Sequence, residues 1–146
     1  METRPTKSAT LLGFMGLFPF IALAAISVGA VGDMAATAQT ALLAYGAVIL
    51  SFLGGVQWGA CVGAPSMSDN ENAVRLTASV VPSLIGWLAL LAPAPYGLLL
   101  LSAALGLMLL FDLYANRRAW TPAWYARLRA PLSVGAAMAV LVGAFA

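Results

Sequence analysis

The chain has 146 residues, 62% of them apolar and only 8% charged, with a mean hydropathy of +0.95; a soluble domain carries about 25% charged residues, so an ordinary water-facing surface is excluded. The net charge is +2 and the pI near 9.0, but the basic residues form no groove-reading motif, so no nucleic-acid partner is expected. With no His and the single Cys61, the commonest metal ligand and general base are missing and neither a disulfide framework nor a paired-cysteine metal site can form, so no cofactor, no metal and no enzyme activity are expected.

A helix needs about 20 predominantly apolar residues to cross about 30 Å of hydrocarbon. Leu11 to Val31, Ala41 to Gly63, Leu76 to Ala92, Gly97 to Ala115 and Pro131 to Ala146 meet or approach that length. They predict an all-α integral membrane bundle of five transmembrane helices, one domain over residues 1–146. The apolar run after Arg4 and Lys7 is about twice a signal-peptide core, which favours a retained helix even though Ala36-Thr37-Ala38 imitates a cleavage site. Pro19, within this first span, removes one helical hydrogen bond and predicts a bend.

In the second span Ser51, Gly55, Gly59 and Gly63 recur every four residues. Small side chains allow helices in lipid to approach closely, so this stripe is a helix-packing surface, for the bundle itself, a second copy or another membrane subunit. Gln57 is the most polar side chain near mid-span. An unpaired amide in hydrocarbon costs several kcal/mol by rough estimate, so it is expected to hydrogen-bond to Ser79 or Ser83 of the third span or to a ligand. Trp58 and, in the third span, Trp87 supply flat polarizable surface for core packing or for a pocket that takes a planar lipophile. Pro82 predicts a second bend.

Asp112 lies near the end of the fourth span, about one turn from Arg117 and Arg118. Two readings stand: a snorkelling carboxylate paired with those arginines, or a proton or substrate site at the mouth of a cavity. The segment Asn116 to Ala130 reads NRRAWTPAWYARLRA. Thr121 and Pro122 suit a helix start. The residues after them predict a short interfacial helix before the last span, with Trp124, Tyr125 and Leu128 on one side and Arg127 and Arg129 reaching lipid headgroups. Through arginine, this segment could clamp an anionic head.

The seven Lys and Arg residues, Arg4, Lys7, Arg75, Arg117, Arg118, Arg127 and Arg129, all fall in alternate gaps between the spans. By the positive-inside rule those gaps face the cytoplasm, so the N-terminus is expected inside and the C-terminus outside.

Four elements, LGFMGLFPF from Leu12 to Phe20, YGAVILSFLGGVQWG from Tyr45 to Gly59, SVVPSLIGW from Ser79 to Trp87 and PAWYARLR from Pro122 to Arg129, resemble the transmembrane protein 69-like family. The resemblance implies a small protein of the bacterial inner (cytoplasmic) membrane or its mitochondrial counterpart, with no settled activity. A weaker pattern, Trp124-Tyr125-x-x-Leu128-x-x-Pro131, is similar to one in the tryptophan-rich sensory or translocator proteins, which have five helices and bind porphyrins. Shared architecture does not carry function across. The sequence thus leads to a non-enzymatic membrane protein that packs with or assists assembly of other subunits. The alternative is a binder or carrier of a lipophilic small molecule, a lipid, quinone or porphyrin-like compound, through Gln57, Trp58, Trp87, Asp112, Trp124, Tyr125, Arg127 and Arg129. The partners expected are membrane lipids, together with other membrane subunits or a second copy of the chain.

Overall fold

A computed structural model describes residues 4–63 and 68–146. They form α1 (Lys7–Gly29), α2 (Asp33–Val62), α3 (Asp69–Leu91), α4 (Ala94–Arg117) and α5 (Ala123–Ala144). At 1.5 Å per residue the helices run about 33 to 45 Å, and all five are long and apolar enough to cross a membrane. The extra turns beyond the predicted spans are polar ends, such as Asp69 to Arg75 of α3. Two caps mark helix starts: Thr6 Oγ1 accepts from the Ala9 amide at 3.1 Å, and Ser68 Oγ accepts from the Glu71 amide at 3.4 Å. Residues 64–67, between the second and third predicted spans, lie outside the described residues.

The fifth helix departs from expectation. No separate interfacial helix precedes it, because residues 123–130 are the first turns of α5, which continues through Pro131. Length explains the difference: 16 residues from Pro131 would reach only about 24 Å, whereas the 22 residues of α5 reach about 33 Å and match the hydrocarbon thickness. Pro131 is exposed on the surface of the helix. The expected hydroxyl cap is also absent. Pro122 occupies the cap position without a side-chain bond, and Asn116 Nδ2 instead donates to the Thr121 and Pro122 carbonyls at 3.3 and 2.9 Å.

Helix α2 is central and touches every other helix, while α1 packs on α2 and α5, and α3 on α2 and α4. The core is aliphatic: Leu42, Leu50, Leu98, Leu101, Leu105 and Val140 are fully enclosed, with Phe20 of α1 set edge-on against Tyr45. Close approach uses glycines outside the predicted stripe. A Cβ at Gly54 would meet the Ser79 carbonyl oxygen of α3, and one at Gly97 the Ala89 carbonyl oxygen. Gly55 and Gly59 have nothing within 4 Å of an added Cβ, and Gly63 meets only its own helix. The stripe Ser51, Gly55, Gly59 and Gly63 therefore does not hold the five helices together. Small residues of the last two helices do pack inside: Gly143 lies against Leu42, Gly135 against Leu17, and Ser102 Oγ donates to the Ala137 carbonyl at 2.9 Å.

Candidate functional site

Four helices each turn one polar side chain inward at the same level. Gln57 is five residues before the end of α2 at Val62, and Asp112 five before the end of α4 at Arg117. Arg75 is six residues into α3 from Asp69, and Arg129 six into α5 from Ala123. Each lies about 8 Å inside the same end of the bundle. Gln57, Arg75 and Asp112 are fully enclosed and Arg129 nearly so, at 8% exposure.

Asp112 organises this layer. Its Oδ1 accepts from Gln57 Nε2 at 2.7 Å and its Oδ2 from Arg129 Nε at 3.0 Å. Three expectations are corrected here. Asp112 does not snorkel toward Arg117 and Arg118. Gln57 bonds Asp112 of α4 and not Ser79 or Ser83. Arg129 turns into the bundle and away from the headgroups. The physical reason is common to all three: at this depth the carboxylate finds its partners in an amide and a guanidinium, which replaces much of its lost hydration although Gln57 Oε1 and Arg129 Nη2 stay unpaired among the described residues. Arg75, expected at the membrane surface, is also drawn inside, where its guanidinium lies 5.2 Å from the centre of the Trp120 ring. Arg118 covers the same ring at 5.8 Å and pairs with Glu71 at 3.0 Å on the exposed rim.

Beside the Asp112–Arg129 pair runs a cavity of about 360 Å³ between α1, α2 and α5, with Leu105 of α4 closing its floor. Its α1 and α2 walls, from Gly13, Leu17 and Phe20 to Ile49, Phe52 and Leu53, are wholly apolar. From Ala9 to Phe20 it follows α1 for about 16 Å. The polar atoms are on one wall. Tyr125, Arg129 and Ser133 line the cavity at i, i+4 and i+8 along α5. Ser133 Oγ is buried without a hydrogen-bond partner among the described residues, while the buried Tyr125 Oη lies beside the Arg129 guanidinium, whose Nη2 is not fully paired. Binding Asp112 through Nε leaves the far end of the guanidinium with donors to spare.

Of the residues named from sequence, the structure gathers Trp124, Tyr125 and Arg129 on the cavity wall, with Gln57 and Asp112 behind Arg129. It separates the others. Trp58 and Trp87 are 49% and 58% exposed on the outer surface and line no part of the cavity, and Arg127 is exposed as well. Ser133 and the α1 wall are additions. The signal for Ser133 was the four-residue repeat Tyr125-Arg129-Ser133, hidden by ending one element at Ala130 and starting another at Pro131. Among the described residues there is no cluster of three metal-ligating side chains.

Residues 5–145 match the family described as "Protein of unknown function (DUF3429)". The chain belongs to that family. Transmembrane protein 69 of Xenopus tropicalis is 39% identical over 139 residues, or 92% of this chain, which bears out the resemblance drawn from the four sequence elements. The chain spans about half of that relative's length, 53%. No solved structure matches. The family is thus one of membrane proteins without a stated activity, and only the site's geometry bears on function.

Proposed function

We propose that this protein is a non-enzymatic component of the bacterial inner membrane, N-terminus cytoplasmic, that binds or carries a lipophilic small molecule in the α1–α2–α5 cavity. The reading is carried by one observation: an apolar cavity of about 360 Å³ has three buried, incompletely paired polar groups along a single wall. Ligand sites are commonly concave, mostly apolar and supplied with a few convergent polar groups. Each buried polar atom left unmet costs about 1–3 kcal/mol, which a ligand with matching atoms would recover. The alternate-gap placement of Lys and Arg supports the orientation.

Native mass spectrometry of the protein released from its own membrane into nanodiscs tests this. The expected result is a lipophile retained by the wild type and lost from Gly16→Leu. Gly16 lines the cavity and a Cβ there meets nothing nearer than the Tyr45 hydroxyl at 3.9 Å, so the larger side chain fills the space without a clash at its root. Equal retention by both proteins would refute the reading.

A second reading, packing with other membrane subunits or assisting their assembly, is supported by the Gly55 and Gly59 surface, where none of the described residues lies within 4 Å of an added Cβ. A partner that co-purifies with the wild type and is lost from Gly59→Leu would favour it.

A further inference from the structure

The polar wall of the cavity also selects by charge. We infer that the ligand is a neutral lipophile whose polar end carries two accepting oxygens about one helical turn apart, at least one of them a carbonyl, and not an anionic amphiphile. This inference rests on the cavity reading above and narrows it.

Arg129 Nη2 can only donate, and the Tyr125 and Ser133 hydroxyls each have a proton to donate as well as lone pairs. A ligand that meets Arg129 must accept, and accepting oxygens serve both hydroxyls too. Successive members of the Tyr125-Arg129-Ser133 series rise by about 6 Å along the helix, so acceptors spread over one turn can engage two of them at once. A ring bearing two carbonyls and a glyceride ester both have this form.

Arg129 is the one charged side chain lining the cavity among the described residues, and Asp112 Oδ2 lies 3.0 Å from its Nε. The pair is neutral as a unit. A carboxylate or phosphate drawn to Nη2 would share that guanidinium with the Asp112 carboxylate, and like charges so close in a medium of low dielectric repel strongly. Asp112 is itself locked by Gln57 Nε2 at 2.7 Å, so it cannot turn aside without losing that bond. Gln57 and Asp112 are positioning residues: they hold Arg129 by Nε and cancel its charge, while its remaining N–H groups keep their directional donor role. A charge placed against such a site is rejected by the same logic that makes buried unpaired groups instruments of specificity.

The experiment titrates the full-length protein in nanodiscs with three probes of similar apolar size, read by native mass spectrometry. They are an oleyl-tailed benzoquinone, monoolein and oleate. The expected result is that at least one neutral probe binds about ten-fold or more tightly than oleate. Binding of the quinone alone identifies a dicarbonyl ring as the ligand type, and binding of monoolein alone an acyl ester. Tyr125→Phe and Ser133→Ala should each weaken the neutral probe about five-fold, the value of one ordinary hydrogen bond. Ser133→Ala should leave the melting temperature of the ligand-free protein unchanged, because the hydroxyl removed has no partner there among the described residues. Asp112→Asn, which leaves Arg129 charged and uncompensated, should move selectivity toward oleate. Oleate binding as tightly as the neutral probes in the wild type, or Tyr125→Phe and Ser133→Ala leaving their affinity unchanged, would overturn the inference while the cavity reading stands. Binding of none of the probes, with co-purifying lipophiles unaffected by Gly16→Leu, would remove both.

Discussion

Replacing Asp112 with Leu removes the acceptor of two charge-assisted hydrogen bonds, from Gln57 Nε2 at 2.7 Å and from Arg129 Nε at 3.0 Å. Bonds to a charged group contribute about 1.5–3 kcal/mol each. The loss also leaves the Arg129 guanidinium, 8% exposed, as a buried charge without its counter-ion, for which about 3–5 kcal/mol is typical. The two routes overlap, and the expected destabilisation is about 3–5 kcal/mol. Arg129→Leu should be comparably damaging, since it strands the fully enclosed carboxylate with only Gln57 to meet it. The double variant removes both charges and should lose far less than the sum, because replacing a whole buried pair with apolar residues is often close to neutral. The coupling energy would then exceed about 2 kcal/mol, well above the scatter for independent sites. Reversible unfolding in mixed dodecyl maltoside and SDS micelles, followed by far-UV circular dichroism, measures all four proteins. Strictly additive losses, or an Asp112→Leu loss below about 1 kcal/mol, would refute the buried pair and with it the account of how Arg129 is held.

Three further predictions concern packing and orientation. Gly54→Ala should destabilise by about 1–3 kcal/mol, since its methyl meets the Ser79 backbone and Pro82. One position on, Gly55→Ala faces open space and should be neutral or stabilising by up to about 1 kcal/mol; the same unfolding assay separates them, and equal effects would mean that α2 is rotated from the described face. Pro131→Ala should stabilise, by up to about 3 kcal/mol, because α5 is continuous there and the residue is exposed; a loss of stability would argue for a break at that point and revive the separate interfacial helix. Reporter fusions test orientation: alkaline phosphatase fused after Ala146 should be active, and fused between Arg118 and Ala119 inactive, with the reverse pattern contradicting the positive-inside assignment.

Much of the candidate site could be named from the sequence but not assembled from it. Gln57, Asp112, Tyr125 and Arg129 were recognisable because polar groups are rare and expensive in apolar stretches. Their mutual pairing was not, since residues 55 and 17 positions apart in the chain meet only once three helices have been packed. Arg75 and Arg129 misled in one respect. As members of the basic gaps they look like surface charges, and sequence position cannot tell a side chain that turns out to the headgroups from one that turns in toward a counter-ion or an aromatic ring.

Composition and hydropathy alone determine that this is a membrane protein of five helices, because apolar length against bilayer thickness is a property of each segment by itself. The tertiary structure decided everything that depends on rotation about a helix axis. Gly54 packs while Gly55 is open, Trp58 and Trp87 face outward, and α5 runs through Pro131. In hydrocarbon an apolar side chain is equally at home against lipid or protein, so hydropathy does not mark which face is inside. That choice follows from steric fit and from the few polar groups that must find one another, and it sets the incompletely paired donors of Tyr125, Arg129 and Ser133 along a single cavity wall.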